Sequence, residues 1–73
     1  MLLGDAEKNR KFVVAKIALA DEDRARLWEL GVSVGTKAEK ESESPFGATV
    51  ITAGGTRIAI GKEAARGIEI EYE

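Results

Sequence analysis

The sequence predicts a small, mainly β domain in which about five short strands form a closed or nearly closed barrel beside one short helix. Three observations support this class. Several short segments alternate apolar and polar residues, as strands with one buried face do. Turns containing glycine separate these segments, and one ten-residue stretch has helical spacing. A closed or nearly closed sheet suits so small a chain because it limits exposed strand edges.

Composition restricts the classes of function. The 73 residues form one domain, residues 1–73, near the lower size limit for independent folding. The chain has no cysteine, which fits a reducing compartment, and we expect a cytoplasmic protein. Eleven bases and thirteen acids are interleaved, without the basic block that is typical of nucleic-acid binding. The N-terminus does not have the pattern of a signal peptide, and no apolar run approaches the roughly 20 residues of a membrane span.

The first predicted strand runs from Lys11 to Leu19. Four of its residues alternate toward the buried face: Val13, Ala15, Ile17 and Leu19. A short helix over residues 21–30 follows, because Asp21 is a suitable N-cap and the next two acids suit the first turn. Leu27 and Leu30 form the buried stripe of this helix.

Two glycines after the helix are explained by turn chemistry. Gly31 is predicted at the C′ position of a Schellman motif, where a left-handed conformation favours a residue without a Cβ. Leu27 and Val32 then make the hydrophobic contact of this motif. Gly35 falls at the third position of a type II turn over residues 33–36, which also needs positive φ.

The second half of the chain is predicted as strands joined by tight turns. Residues 36–44 are polar on both faces and therefore predict an edge strand or a solvated arm. A hairpin follows over residues 48–60, with Gly54 and Gly55 as its two-residue loop.

One helical turn over residues 62–66 leads into a last strand that places Ile68, Ile70 and Tyr72 inward and alternates them with glutamates. The predicted core takes nine residues from these elements: Val13, Ile17, Leu19, Leu27, Leu30, Ile58, Ile60, Ile68 and Ile70.

Three motifs occur in a recognisable order. They are RLWELGVSVGT at residues 26–36, SPFG at 44–47 and TRIAIGKEAARGIEI at 56–70. Together they resemble the FeoA family, the small proteins of bacterial and archaeal ferrous iron uptake, from about Lys11 to Tyr72. The chain departs from the family pattern at Val34, where proline is usual, and at Lys40, where the second strand is often apolar.

The resemblance implies an SH3-like β-barrel and a non-enzymatic cytoplasmic accessory protein of ferrous iron uptake. It also implies a protein partner, the membrane permease FeoB, bound through the cytoplasmic portion of that permease. Two alternatives stay open. One is a stand-alone SH3-like domain of a metal-dependent transcriptional regulator, and the other is a small barrel that binds nucleic acid, which the charge balance disfavours. A weak homo-oligomer stays open as well.

No catalytic, cofactor or metal site is predicted. Without His and Cys the chain lacks the commonest general base and the best nucleophile. Iron(II), zinc and copper usually take imidazole or thiolate ligands. Glu39, Glu41 and Glu43 alternate along one strand face with about 7 Å between successive Cβ atoms, which is typical of a solvated strand.

The helix carries the candidate partner-binding residues, which are Arg24, Arg26 and Trp28. Trp28 allows two interpretations. It covers the edge of the barrel, since tryptophan is usually largely buried, or it anchors a partner protein. The two arginines would then supply a polar rim. We expect the helix and the turn after it to form the docking surface.

Overall fold

The computed structural model describes all 73 residues as five strands, two α-helices and a 3₁₀ turn over Leu3–Asp5. The strands are β1 (Lys11–Ile17), β2 (Lys37–Glu43), β3 (Thr49–Ala53), β4 (Thr56–Ile60) and β5 (Ile68–Tyr72). The helices are α1 (Asp21–Leu30) and α2 (Lys62–Ala65). The predicted mainly β fold, with one substantial helix and one helical turn, is confirmed. Neither helix has both the length and the apolar character needed to cross a membrane.

One sheet contains every strand in the order β4-β3-β2-β1-β5, and all neighbours are antiparallel. The end strands β4 and β5 do not pair with each other, so the sheet is open and the word barrel describes it only loosely. The N-terminus covers part of the free edge of β5. The Ile70 N–H donates to the Met1 carbonyl at 2.7 Å, and Leu2 bridges Glu69.

The core collects apolar side chains from all five strands, both helices, the N-terminal turn and the turn after α1. Fourteen buried residues form one cluster: Leu3, Ala6, Phe12, Val14, Leu27, Val32, Ala38, Ile51, Ala53, Ile58, Ile60, Ala65, Ile68 and Ile70. Five predicted core residues belong to it: Leu27, Ile58, Ile60, Ile68 and Ile70. Ile17 and Leu19 are partly buried and pack against this cluster.

The inward face of β1 is opposite to the predicted one. Phe12 and Val14 are fully buried, whereas Val13 is only half-buried and Ala15 is exposed. A β-bulge between Val14 and Lys16 then shifts the register of β1 against β5. After this shift Ile17 returns to the margin of the core. A single alternating pattern cannot describe a strand that changes face at a bulge, so the prediction for Val13 is wrong.

Two expectations for α1 are also wrong. Leu30 is 48% exposed, because Leu27 and Val32 fill the inward positions at this end of the helix. Asp21 is the first residue of α1 rather than its N-cap. Ala20 holds the N-cap position without any side-chain cap, and Asp21 forms an exposed ion pair with Arg24 at 3.7 Å. The carboxylate still complements the positive end of the helix dipole.

The C-terminus of α1 has the geometry of a Schellman motif. Gly31 adopts a φ of 96°, which is left-handed. The Val32 N–H donates to the Leu27 carbonyl at 2.8 Å, and the Gly31 N–H donates to the Trp28 carbonyl at 3.0 Å. Leu27 and Val32 are both buried, as this motif requires. The helix therefore ends at a fixed place and direction.

The β3–β4 hairpin has a two-residue loop. Gly54 and Gly55 adopt φ values of 57° and 80°, and Ala53 pairs with Thr56 on either side of them. Positive φ at both central residues is characteristic of a type I′ turn, whose twist matches that of the strands. The hairpin therefore continues without any register shift to its far end.

β2 is the central strand of the sheet, so its prediction as an edge strand or a solvated arm is wrong. It pairs with β1 on one side and with β3 on the other. Its buried positions are Ala38 and Lys40. The Lys40 Nζ donates to Glu43 Oε1 at 2.6 Å and to the Gly4 carbonyl at 3.2 Å. These partners explain how a polar segment occupies the middle of the sheet, since a buried charge needs compensation.

Candidate protein-docking surface

The candidate docking surface consists of exposed apolar side chains on α1 and on the turn that follows it. Arg24 and Trp28 are four residues apart, so their side chains are neighbours on one face of the helix. The Trp28 side chain is 71% exposed. Leu27, about 100° around the helix, is buried and thereby directs Trp28 away from the core. The interpretation of Trp28 as a cover over the barrel is therefore wrong.

The turn over residues 33–36 completes this surface by presenting Val34, which is 63% exposed. Gly35 has a φ of 94°, and the last N–H of the turn donates to its first carbonyl at 3.0 Å. This geometry is that of a type II turn. The Gly35 N–H also donates to the Val14 carbonyl at 2.8 Å, which ties the turn to β1. Val34 is therefore held in place at a hydrogen-bonded turn.

Trp28 and Val34 line one open groove of about 500 Å³, called here the Trp28 groove. Its lining residues are Ile17, Asp21, Arg24, Ala25, Trp28, Val32, Ser33 and Val34. Five of these eight are apolar, and the Asp21–Arg24 ion pair stands at the margin. An apolar centre with a charged rim is the usual anatomy of a protein–protein interface.

The structure separates the three residues that the sequence grouped together. Arg24 and Trp28 line the Trp28 groove, whereas Arg26 lines a second groove together with Leu30. Arg26 lies two positions from each of the other two, roughly 200° around the helix. Val34 was not among the candidate partner-binding residues predicted from the sequence, because helical periodicity does not extend into a turn. An apolar side chain next to the turn glycine is the signal that could have identified it.

Two acidic residues of β2, Glu41 and Glu43, are engaged by other side chains of the protein. Glu41 accepts hydrogen bonds from the Thr52 hydroxyl at 3.0 Å and from Arg57 Nε at 3.1 Å. Glu43 accepts from Lys40, whose hydrogen bond and positive charge hold the pKa of the Glu43 carboxyl below its ordinary value of 4.5. No group of three His, Cys, Asp or Glu side chains is placed to hold a metal ion. Both carboxylates are occupied by cations of the protein itself.

Two of the three serine hydroxyls take part in turns. The Ser33 hydroxyl lies 3.4 Å from the Thr36 hydroxyl, and Ser44 Oγ accepts the Ala48 N–H at 3.0 Å. Neither contact places a general base beside the hydroxyl, which nucleophilic catalysis by serine requires. Both hydroxyls therefore stabilise turns.

Comparison with known proteins gives one family. The sequence profile of the FeoA domain matches residues 1–72, while no curated protein sequence matches the chain. The solved structure of an iron uptake regulatory protein, FeoA, is 26% identical, with a TM-score of 0.89 over 100% of this chain and 97% of that chain. Zinc-complexed FeoA of Stenotrophomonas maltophilia, an SH3 domain protein, is 25% identical, with a TM-score of 0.75 over 97% of this chain and 89% of that chain.

A manganese-dependent transcriptional repressor has the same fold, with a TM-score of 0.86 at 21% identity. That likeness covers 100% of this chain and only 36% of the repressor, and at this identity it shows the fold alone. The predicted SH3-like architecture is confirmed by the FeoA neighbours. Because the domain profile covers almost every residue, from the N-terminal turn to the last strand, this chain belongs to the FeoA family.

Proposed function

We propose that this FeoA-family protein is a non-enzymatic accessory component of ferrous iron uptake that docks on the cytoplasmic portion of the FeoB permease. Membership of the family supports a role related to iron transport. Its structural neighbours include an iron uptake regulatory protein and a FeoA linked to the activation of bacterial ferrous iron transport. One observation supports the docking role in particular. Trp28 is 71% exposed and lines the same groove as Val34.

Trp28 suits the role of an anchor. A tryptophan ring buries a large apolar area on binding and is enriched among the residues that dominate interface energetics. The Schellman motif at Gly31 and the hydrogen-bonded turn at Gly35 hold both sides of the Trp28 groove. Little conformational entropy is then lost when a partner binds, because the surface is already ordered.

The regulator alternative has less support. The likeness to the manganese-dependent repressor lies in the fold alone, at 21% identity. Nucleic-acid binding also has less support, because Trp28 lies beside an Asp21–Arg24 ion pair and not within a basic stripe. The exposed apolar groove favours a protein partner over nucleic acid.

The docking role predicts a loss of affinity in Trp28→Ala. We expect binding to intact FeoB in nanodiscs to weaken by roughly 1–2 kcal/mol, about 5- to 30-fold, as for an interface anchor. The melting temperature should stay nearly unchanged, because the Trp28 side chain is 71% exposed. Biolayer interferometry and thermal melts measure the two quantities separately.

Phe46→Ala is the matched control for this experiment. Phe46 is an aromatic residue that is 91% exposed and lies outside the Trp28 groove. We expect this variant to bind FeoB like the wild type. Equal affinities for Trp28→Ala and wild type would exclude the Trp28 groove as the docking surface.

A further inference from the structure

β4 has a free edge, because it pairs only with β3. Ala53 and Thr56 flank the two-residue loop and form the hydrogen-bonded pair beside it. Hydrogen bonding alternates along an antiparallel ladder, so Arg57 and Ala59 direct their main-chain N–H and C=O groups away from β3. These groups take part in no turn, loop or side-chain hydrogen bond. The edge therefore offers an unpaired ladder of donors and acceptors.

Most of the usual devices that protect a strand edge are missing from β4. Such edges commonly carry a proline, a bulge or a free lysine, or are covered by another segment. β4 has no proline, and its register with β3 is continuous. Its one charged residue, Arg57, is engaged by Glu41, with Nη2 to Oε1 at 3.0 Å. The edge of β5, by contrast, is partly covered by the N-terminus.

An apolar groove lies beside this edge. It has a volume of about 510 Å³ and lies between α1 on one side and β4 with α2 on the other; we call it the β4 groove. Leu30, 48% exposed, is on the α1 side, and Ala59 and Ile60 are on the β4 side. Ala59 is exposed and small, so it leaves the edge accessible. The rim carries two cations and two anions, which balance: Asp23, Arg26, Lys62 and Glu63.

We propose that the β4 edge and the β4 groove bind an extended, uncharged peptide segment of a partner protein by strand addition. The main chain of the peptide pairs with Arg57 and Ala59, and an aliphatic side chain enters the groove next to Leu30. Main-chain pairing provides affinity in this mode, and pockets for alternate side chains provide specificity. The balanced rim selects against a strongly charged segment.

The size of the edge favours a peptide over a second copy of this chain. Five residues of strand extend for about 17 Å, and a neighbouring strand lies about 5 Å away. A stable protein–protein interface buries about 800 Å² on each partner. That would be about a sixth of the 4690 Å² surface of this molecule, far more than one short strand edge and its groove provide. A single extended segment fits the available area.

The test uses three acetylated and amidated heptapeptides that alternate threonine with valine, isoleucine or leucine. Each is titrated into the full-length, ¹⁵N-labelled protein. We expect saturable shifts of the Arg57 and Ala59 amide signals with at least one peptide, and no shift of the Trp28 indole signal. No shift at Arg57 and Ala59 with all three peptides at millimolar concentration would overturn the proposal.

Backbone methylation separates strand addition from unspecific apolar contact. N-methylation of one alternate set of peptide residues blocks the N–H groups that face β4, and N-methylation of the other set blocks those that face solvent. We expect one pattern to weaken binding at least tenfold and the other to change it less than twofold. Equal effects of the two patterns would contradict the proposal.

Variants of the protein complete the test. Leu30→Glu places a charge at the groove and should weaken peptide binding at least fivefold, whereas Val34→Glu, in the Trp28 groove, should leave it unchanged. Leu30→Glu should also leave FeoB affinity unchanged, so the two proposals fail or succeed separately. Shifts at Arg57 and Ala59 that depend on protein concentration without peptide would identify a second copy as the occupant and overturn the proposal.

Discussion

The positive charge of Lys40 is buried in the sheet and is compensated by two hydrogen-bond partners, one near in the chain and one distant. Its Nζ contacts Glu43 Oε1 at 2.6 Å, three residues ahead on the same strand, and the Gly4 carbonyl at 3.2 Å. The Lys40 side chain is 7% exposed, while that of Glu43 is 49% exposed. The lysine thereby ties the N-terminal 3₁₀ turn to the central strand.

The Lys40–Glu43 pair predicts a loss of stability in acid. The pKa of Glu43 is lower in the folded protein than its ordinary value of 4.5, so the unfolded chain binds this proton at higher pH. The contribution of the pair is fully present above pH 4.5 and is lost as the pH falls through the folded pKa. We expect the melting temperature of Glu43→Gln to depend less on pH below 4.5 than that of the wild type, as followed by circular dichroism.

Glu63→Gln is the control for the acid experiment. Glu63 is also a glutamate with a basic partner three residues away, but its pair with Arg66 spans 3.9 Å and its side chain is 90% exposed. We expect this variant to keep the acid dependence of the wild type. The explanation is wrong if Glu43→Gln retains that dependence in full.

At the scale of elements, the end of α1 organises both grooves. The Schellman motif at Gly31 fixes where the helix stops, and the type II turn at Gly35 directs the chain into β2. Trp28 on one side of α1 and Leu30 on the other then face different grooves. A short helix with two well-defined turns thus presents two apolar surfaces while burying only Leu27.

Gly31 predicts a measurable cost of backbone strain. A Cβ added at Gly31 would meet no atom within 4 Å, so Gly31→Ala tests only the φ of 96°. We expect the free energy of unfolding in urea to fall by about 1 kcal/mol or more, the cost of a left-handed conformation for a residue with a Cβ.

Gly61→Ala is matched to Gly31→Ala. Gly61 also has open space for a Cβ, but its φ is −59°, which every residue adopts. We expect the free energy of unfolding to change by no more than about 0.5 kcal/mol, because no strain is introduced. Similar losses in both alanine variants would show that strain at Gly31 is not the cause.

At the scale of the whole molecule, the packed core positions two open grooves on the surface. Its extents are only 29 × 27 × 23 Å, and its interior is filled by one cluster of fourteen apolar side chains. Both grooves are open and lie at the surface beside α1. The two grooves share no lining residue.

The composition of the whole chain predicts weak metal binding. The chain has no His and no Cys, and Glu41 and Glu43 are already paired with protein cations. We expect anaerobic calorimetric titration with iron(II), and a parallel titration with zinc, to show no saturable site with a Kd below roughly 1 μM. The buffer is non-chelating, and a histidine-containing zinc peptide serves as positive control. A tight stoichiometric site would favour the regulator alternative instead.

Local chemistry in the sequence determined most of the elements and turns. The positions of α1 and of the hairpin loop at Gly54–Gly55 follow from interactions within a few residues along the chain, and β5 is located by its alternating pattern. Alternation, helical spacing and the need for positive φ are properties of such short stretches. The motif order likewise predicted the SH3-like fold and the FeoA family, which span almost the whole chain.

Tertiary structure decided which side chains are buried and where the surfaces lie. The bulge in β1 exchanged Val13 for Val14 in the core, and Glu43 with Gly4 made a buried Lys40 acceptable at the centre of the sheet. Gly67 is needed because an added Cβ would lie 2.9 Å from the Ala18 carbonyl oxygen. Each of these outcomes depends at least in part on atoms that are distant along the chain and adjacent in space. A periodic pattern in the sequence depends only on residues that are close along the chain. The burial of these residues is decided instead by the pairing of the strands and by the packing of α1 through Leu27.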